Sequence, residues 1–264
     1  MELRDRAIGV FDSGLGGISV LRELLLELPN ENFIYFGDTA NAPYGVKSTA
    51  RVRELTLEAY AKMRELGVKA FVMACNTATS AAAAFLRERY PDDIIIGIEP
   101  ALKPAALCRE HPTVAVLATP LTIREEKFAR LLGRFENEAR VIPLACPGLV
   151  EFVERGEISG EELSAFLSET LSPIKNVGLD AVVLGCTHYP FVKDSISEVL
   201  GGDVLIFDGS AGTARETRRR LSEKNILRES DEKRSVIFLD SSYPEIINPS
   251  ESIITRFGGE YLCK

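Results

Sequence analysis

The sequence predicts an α/β protein of two similar domains, each with a mainly parallel sheet flanked by helices, related by a pseudo-twofold axis. Short apolar runs bounded by turn residues alternate with helical patterns, as they do in βα units. The same alternation then restarts near the middle of the chain. We expect a site in the cleft between the halves, because ligands of open α/β sheets bind at the carboxyl ends of the strands.

Each half contributes four predicted strands. The apolar runs fall at 8–11, 33–36, 70–74 and 94–98 in the first half, and at 113–117, 141–144, 181–184 and 204–207 in the second. Helical patterns predict helices over 122–132, 160–174 and 212–223. The segment beyond Asp208 has no counterpart in the repeat, so we expect it to pack back on the first domain. The predicted domains are therefore 1–98 with 209–264, and 99–208.

Residues at equivalent strand ends support an internal duplication. They pair with nearly constant offsets of 107, 108 and 111 residues: Asp12 with Thr119, Asp38 with Cys146, and Cys75 with Cys186. All six are predicted to lie at the edge where the two sheets face each other.

Composition narrows the class of protein. A net charge of −8 over 264 residues gives no electrostatic reason to expect a nucleic acid or an anionic membrane as partner. The charged amino terminus lacks the apolar core of a signal peptide, and the apolar runs are too short to span a bilayer, so we expect a cytoplasmic protein. Five cysteines without a C-x-x-C pair favour reduced thiols over a disulfide framework or a structural zinc site.

Two of those thiols form the strongest motif. Cys75 and Cys186 each follow an apolar strand and precede a helical pattern, so Thr77 and Thr187 are expected near helix starts. A single buried cysteine is ordinarily core packing. A pseudo-twofold pair would instead face each other across one cleft, where one thiolate can remove an α-proton and the other thiol can protonate the opposite face. An unperturbed thiol pKa of about 8.5 makes both the thiol and the thiolate accessible near neutral pH.

The glycine-rich turn after the first strand and the loop after the second are candidate substrate contacts. Asp12 and Ser13 open a turn whose backbone N–H groups favour anions. Tyr44 and Gly45 lie in a long turn that exposes backbone groups.

His188 lies two residues after Cys186, where it can assist proton transfer. Glu151 is the acidic residue nearest the strand end at Cys146. We assign Cys146 itself to core packing. Cys108 and Cys263 lack any surrounding constellation.

Together these segments resemble the glutamate racemase family over nearly the whole chain. The resemblance rests on Phe11–Gly17, Gly37–Thr39 with Pro43–Gly45, Ala74–Ala78, Gly185–Pro190 and Asp208–Ala211. It implies interconversion of L- and D-glutamate without pyridoxal phosphate or metal, supplying D-glutamate for peptidoglycan, in a protein that is often a homodimer.

The resemblance also implies roles for individual residues. Cys75 and Cys186 would be the acid/base pair, with Asp12, Glu151 and His188 as helpers. The implied substrate contacts are Asp12, Ser13, Tyr44, Gly45, Asn76, Thr77, Thr119, Thr187 and His188.

Several alternatives stay open at this point. A racemase of aspartate or of another amino acid would use the same thiol pair. Gly14-x-Gly16 superficially suggests a dinucleotide-binding domain, although the third position of that fingerprint is Ser19. A non-catalytic amino-acid-binding protein could also place a cleft between two α/β lobes, although the paired thiols argue against it.

Overall fold

A computed structural model describes residues 2–230 and 232–242 of the chain. Their nine strands form two sheets in which every neighbouring pair is parallel. The first sheet has the order β4-β3-β1-β2-β9, with β1 at Ile8–Asp12, β2 at Phe33–Gly37, β3 at Ala70–Met73, β4 at Ile95–Gly97 and β9 at Val236–Asp240. The second has the order β6-β5-β7-β8, with β5 at Thr113–Ala118, β6 at Arg140–Ala145, β7 at Ala181–Leu184 and β8 at Leu205–Asp208.

The two sheets repeat one topology. Apart from β9, the central strand β1 lies between β2 and β3, with β4 outside β3, and β5 lies in the same way between β6 and β7, with β8 outside β7. The predicted α/β fold with two similar domains is confirmed.

Ten α-helices of the described residues flank the sheets. They are α1 at Ile18–Glu27, α2 at Thr49–Glu65, α3 at Asn76–Arg89, α4 at Leu102–Ala106, α5 at Pro120–Arg124, α6 at Glu126–Gly133, α7 at Leu149–Glu154, α8 at Glu161–Thr170, α9 at Lys193–Leu200 and α10 at Ser210–Glu223. Within the described part of the chain, none of the helices has the length and apolar character needed to cross a membrane.

Two predicted helices differ from the structure, and that predicted over 160–174 ends early, at Thr170. The continuous helix expected over 122–132 is two helices, α5 and α6, separated at Glu125, whose ψ of 138° is extended. The Thr49 hydroxyl donates a hydrogen bond to the Glu125 carboxylate at 2.5 Å. This contact with the first domain accompanies a break that the helical periodicity alone does not predict.

The apolar core continues across the two halves. The largest cluster of buried apolar side chains contains Val10 and Leu15 from the first half together with Leu117 and Val153 from the second. Burial of such a side chain contributes about 1.5–3 kcal/mol, so the shared cluster stabilises the approach of the two sheets.

The segment after Asp208 returns to the first sheet as far as it is described. Helix α10 packs on α1, and β9 pairs in parallel with β2. These contacts support the proposed division at 98/99 and 208/209, which stays a prediction. Residues 243–264 of that proposed domain lie outside the described residues.

Candidate active site

Three of the residues predicted at strand ends lie between the two sheets. Asp12 is the last residue of β1, Cys75 lies two positions after β3, and Cys186 lies two positions after β7. All three are buried, with exposed fractions of 0%, 5% and 7%. The carboxyl ends of both sheets therefore contribute to one buried site.

Cys75 itself caps helix α3. Its sulfur accepts a hydrogen bond from the Ala78 N–H at 3.4 Å, and its thiol lies 3.5 Å from the Ser13 hydroxyl. The helix therefore starts at Asn76, next to Thr77, and Cys75 is its N-cap. Burial, followed by the negative charge of Asp12, raises the pKa of Cys75 to about 12, although the two hydrogen bonds act to lower it. At neutral pH this thiol is protonated.

Asp12 links the two domains. One carboxylate oxygen accepts the Gly14 N–H at 3.0 Å, and the other accepts the Thr187 hydroxyl of the second domain at 3.0 Å. Burial raises the pKa of Asp12 to about 6, while the charge of His188 and the two hydrogen bonds act to lower it. Asp12 is therefore mainly ionised at neutral pH.

Cys186 has a different partner. Its sulfur lies 3.7 Å from His188 Nδ1, and His188 Nε2 lies 2.5 Å from the Glu154 carboxylate. Burial acts to lower the pKa of His188, but its contacts with Cys186 and Glu154 outweigh this effect and raise the pKa well above its ordinary value. A charged imidazole therefore lies between a carboxylate and the thiol.

The carboxylate against His188 belongs to Glu154, whereas the helper carboxylate implied by the family resemblance is Glu151. Both residues lie on α7, and Glu151 is one turn closer to its start. Helical spacing places the two on one face, so periodicity alone does not separate them. Glu154 is the functional candidate that sequence reasoning missed.

The glycine turn after β1 is occupied by groups of the second domain. The Leu15 N–H donates to Glu154 Oε1 at 3.0 Å, and a Cβ added to Gly16 would collide with the His188 ring. Ser19 donates to the Gly16 and Thr187 carbonyls. The turn therefore binds protein groups where a dinucleotide site would leave room for a pyrophosphate, which argues against that alternative.

Several polar side chains converge beside Cys75. Both polar atoms of the Asn76 amide are buried without a hydrogen-bond partner. The Thr77 hydroxyl lies 3.0 Å from that of Thr119 and 3.3 Å from that of Thr122. Thr122 was not predicted, although its spacing of three from Thr119, the N-cap of α5, was a usable signal.

The Tyr44 and Gly45 segment borders this threonine cluster. The Tyr44 hydroxyl donates to Asp38 at 2.6 Å, so its side chain braces the loop. A Cβ added to Gly45 would lie 2.6 Å from that of Thr119. Only glycine allows the loop to approach the second domain this closely.

The remaining thiols lie outside these contacts. Cys146 is buried after β6, and its thiol lies 3.7 Å from the Leu144 carbonyl oxygen. Cys108 is half-buried, and Cys263 lies outside the described residues.

A family model described as Asp/Glu/Hydantoin racemase matches residues 11–217. The chain belongs to this racemase family. The match includes every candidate site residue from Asp12 to His188.

Individual racemases of the family are similar over almost their full length. A glutamate racemase of Clostridium perfringens is 50% identical over 254 residues, covering 96% of this chain and 98% of its own. The glutamate racemase of Francisella tularensis, solved in complex with D-glutamate, is 31% identical with a TM-score of 0.83, covering 98% of this chain and 94% of its own. That of Escherichia coli, solved with L-glutamate and the activator UDP-MurNAc-Ala, is 32% identical with a TM-score of 0.77, covering 89% and 88%.

Proposed function

We propose that the protein interconverts L- and D-glutamate, with Cys75 and Cys186 exchanging protons with opposite faces of the α-carbon. The observation that carries this proposal is the pair of buried thiols two positions after equivalent strands of the duplicated fold. The proposed reaction uses no pyridoxal phosphate and no metal.

The proton balance of the reaction needs only the two thiols. One thiolate takes the α-proton, and the electron pair of the broken C–H bond stays on the substrate as a carbanion. The opposite thiol then gives its proton to the other face. The product has inverted configuration, and the two cysteines have exchanged protonation states, which the reverse reaction restores.

The environment of Cys75 suggests how the substrate activates it. The negative charge of Asp12 contributes to the raised pKa of this thiol. A substrate ammonium group beside Asp12 would offset that charge and bring the pKa of Cys75 down toward the range needed for proton abstraction. Substrate binding would thus let the Cys75 thiol, which is protonated and unreactive in the free protein, release its proton to solvent and become the base.

The second thiol has a permanent cationic neighbour. His188, held in its charged form by Glu154, can donate a hydrogen bond to the Cys186 sulfur. A fixed donor at this position stabilises the thiolate that forms when Cys186 has given its proton away. The two thiols would therefore be activated differently, Cys75 by the substrate and Cys186 by the protein.

Carbanion formation needs donors aimed at the substrate carboxylate. The unpartnered side-chain amide of Asn76 and the hydroxyl of Thr77 can supply them. A buried amide without partners costs about 1–3 kcal/mol, which a bound carboxylate and ammonium would offset.

Glutamate is favoured over aspartate by the comparisons. The curated relatives with about half of their residues identical are glutamate racemases, and solved relatives hold L- or D-glutamate. Formation of D-glutamate for peptidoglycan, in a homodimer, is the physiological role we infer from this resemblance. The E. coli relative's activator, a peptidoglycan precursor, supports that role.

A racemisation assay tests the proposal. Polarimetry should show conversion of both enantiomers of glutamate, and loss of most activity in Cys75→Ser and Cys186→Ser. Cys146→Ser is the matched control, because it changes an equally buried thiol whose weak contact with a carbonyl oxygen a serine can keep. Turnover of aspartate but not glutamate would refute the substrate assignment.

A further inference from the structure

Tyr35 is a buried polar side chain that the proposed reaction leaves without a role. It lies at the centre of β2, its ring is fully buried, and its centroid lies 5.8 Å from that of Phe238. Its hydroxyl reaches out of the sheet layer and donates a hydrogen bond to the Gly14 carbonyl at 2.7 Å. The tyrosine therefore contacts the glycine turn from the core side.

The peptide unit between Gly14 and Leu15 is held at both of its polar atoms. Its carbonyl accepts from Tyr35 in the first domain, and its N–H donates at 3.0 Å to Glu154 Oε1 in the second. The same carboxylate oxygen lies 2.5 Å from His188, which contacts Cys186. A continuous series of polar contacts thus runs from Tyr35 to the second thiol.

Two glycines make this arrangement possible. A Cβ added to Gly17 would lie 2.9 Å from the Tyr35 hydroxyl, and one added to Gly14 would collide with the Glu154 carboxylate. The absence of side chains lets the phenol and the carboxylate approach one peptide from opposite sides. Burial, and then the charges of Asp12 and Glu154, raise the pKa of Tyr35 far above its ordinary value, so the phenol stays a donor.

We propose that Tyr35 is a positioning residue for proton transfer at Cys186, acting through the Gly14 carbonyl, the Leu15 N–H, Glu154 and His188. The inference rests on the proposed function and adds a residue outside the substrate contacts. A hydrogen bond to the carbonyl polarises the peptide and strengthens its N–H as a donor to Glu154. The same hydrogen bond fixes the position of the glycine turn, and with it the Glu154 carboxylate that orients the His188 imidazole.

Loss of the hydroxyl would leave the Gly14 carbonyl buried without its partner. The turn would shift to satisfy it, and Glu154 and His188 would follow. Small displacements of groups that position a proton transfer are costly, up to about 100-fold for 1 Å. The effect would fall on Cys186, because Cys75 has its own contacts with Ser13 and Ala78.

The test is Tyr35→Phe, with Tyr60→Phe as the matched control. Tyr60 is a buried tyrosine of the same domain, and its hydroxyl bonds Asp93 rather than a group of the site. We expect kcat of Tyr35→Phe to fall about tenfold, KM for glutamate to stay within about twofold, and kcat of Tyr60→Phe to stay near wild type.

Solvent deuterium exchange supplies a readout that a purely structural role would not move. The enantiomer deprotonated by Cys75 is identified as the one that still exchanges its α-proton in Cys186→Ser. With Tyr35→Phe, deuterium should enter that enantiomer in excess over its racemisation, because the carbanion returns to Cys75 more often than it is protonated by Cys186. The other enantiomer should lose exchange and racemisation together.

Two results would overturn the inference. One is a Tyr35→Phe variant as active as Tyr60→Phe, and the other is a loss of exchange that is equal for both enantiomers. Failure of the proposed function is distinguishable, because it appears in the parallel cysteine variants. If Cys75→Ser and Cys186→Ser still racemise glutamate, the two-base proposal fails whatever Tyr35→Phe does.

Discussion

Glu154→Gln removes the charge that orients His188 and keeps the shape of the side chain. The carboxylate oxygen that meets His188 at 2.5 Å also accepts the Leu15 N–H at 3.0 Å. A glutamine oxygen can still accept one of these bonds, but it no longer holds the imidazole in its charged form. The pKa of His188 should fall back toward its ordinary value, and the cation beside Cys186 should be lost at neutral pH.

The size of the effect follows from the bond that is lost. A hydrogen bond to a charged group contributes about 1.5–3 kcal/mol. Each factor of ten in rate corresponds to about 1.36 kcal/mol, so kcat for glutamate should fall about 10- to 100-fold. Because His188 is only one of nine implied substrate contacts and Glu154 is not among them, KM should change by less than about threefold.

The pairing of His188 with Glu154 should also make stability depend on pH. A histidine with a raised folded pKa stabilises the fold fully below its unfolded pKa of about 6.5, and this contribution is lost as pH rises through the folded pKa. The difference in free energy of unfolding between wild type and Glu154→Gln, from urea titrations, should therefore be largest at mildly acidic pH, just below about 6.5, and shrink as pH rises through the folded pKa of His188.

The assay compares Glu154→Gln with Glu151→Gln by initial rates of racemisation in both directions. The comparison of the two variants decides between Glu154, which the structure places against His188, and Glu151, which the family resemblance implied. A larger fall in kcat for Glu151→Gln than for Glu154→Gln would show that Glu154 is not the carboxylate that supports proton transfer through His188.

Three further predictions concern Asp12, the loop at Gly45 and the buried ion pair between Lys69 and Glu31. Because burial raises the pKa of Asp12 to about 6, kcat/KM should fall below that pH, and Asp12→Asn should remove this acid limb from the pH profile. The raised pKa also means that wild type should lose up to about 1.4 kcal/mol of stability per pH unit, relative to the variant, as pH rises from about 4 to 6 in urea titrations. Gly45→Ala should raise KM for glutamate about tenfold by displacing Thr119 and should cost about 1–3 kcal/mol in urea unfolding, and an unchanged KM would show that the contact does not matter for substrate binding. Lys69→Met should cost about 3–5 kcal/mol in urea unfolding by leaving Glu31 buried without its cation at 2.5 Å, and a cost below about 1 kcal/mol would contradict this.

The fold was predictable because its signals are local. Runs of apolar residues between turn residues mark the strands, and both halves carry them in the same order. The strand ends then follow, and with them Asp12, Cys75 and Cys186. Parallel topology brings these residues to one edge without further information.

The details that were not predictable depend on how the two domains meet. Glu151 and Glu154 share a helix face, and only the approach of α7 to the turn at Leu15 selects Glu154. The break at Glu125 likewise coincides with a contact from Thr49, in a sequence whose helical periodicity is continuous. Tyr35 looks like an ordinary strand residue until its hydroxyl is seen on the glycine turn.

In the proposed reaction two thiols act on opposite faces of one α-carbon, and enantiomer-resolved incorporation of solvent deuterium reports on each thiol separately. L- and D-glutamate are incubated separately in D₂O with wild type, Cys75→Ser and Cys186→Ser, and the α-position is followed by proton NMR. We expect each serine variant to lose racemisation and to retain exchange with only one enantiomer, which is the opposite enantiomer for the two variants. Near-normal racemisation in either variant, or exchange of the same enantiomer by both, would contradict it.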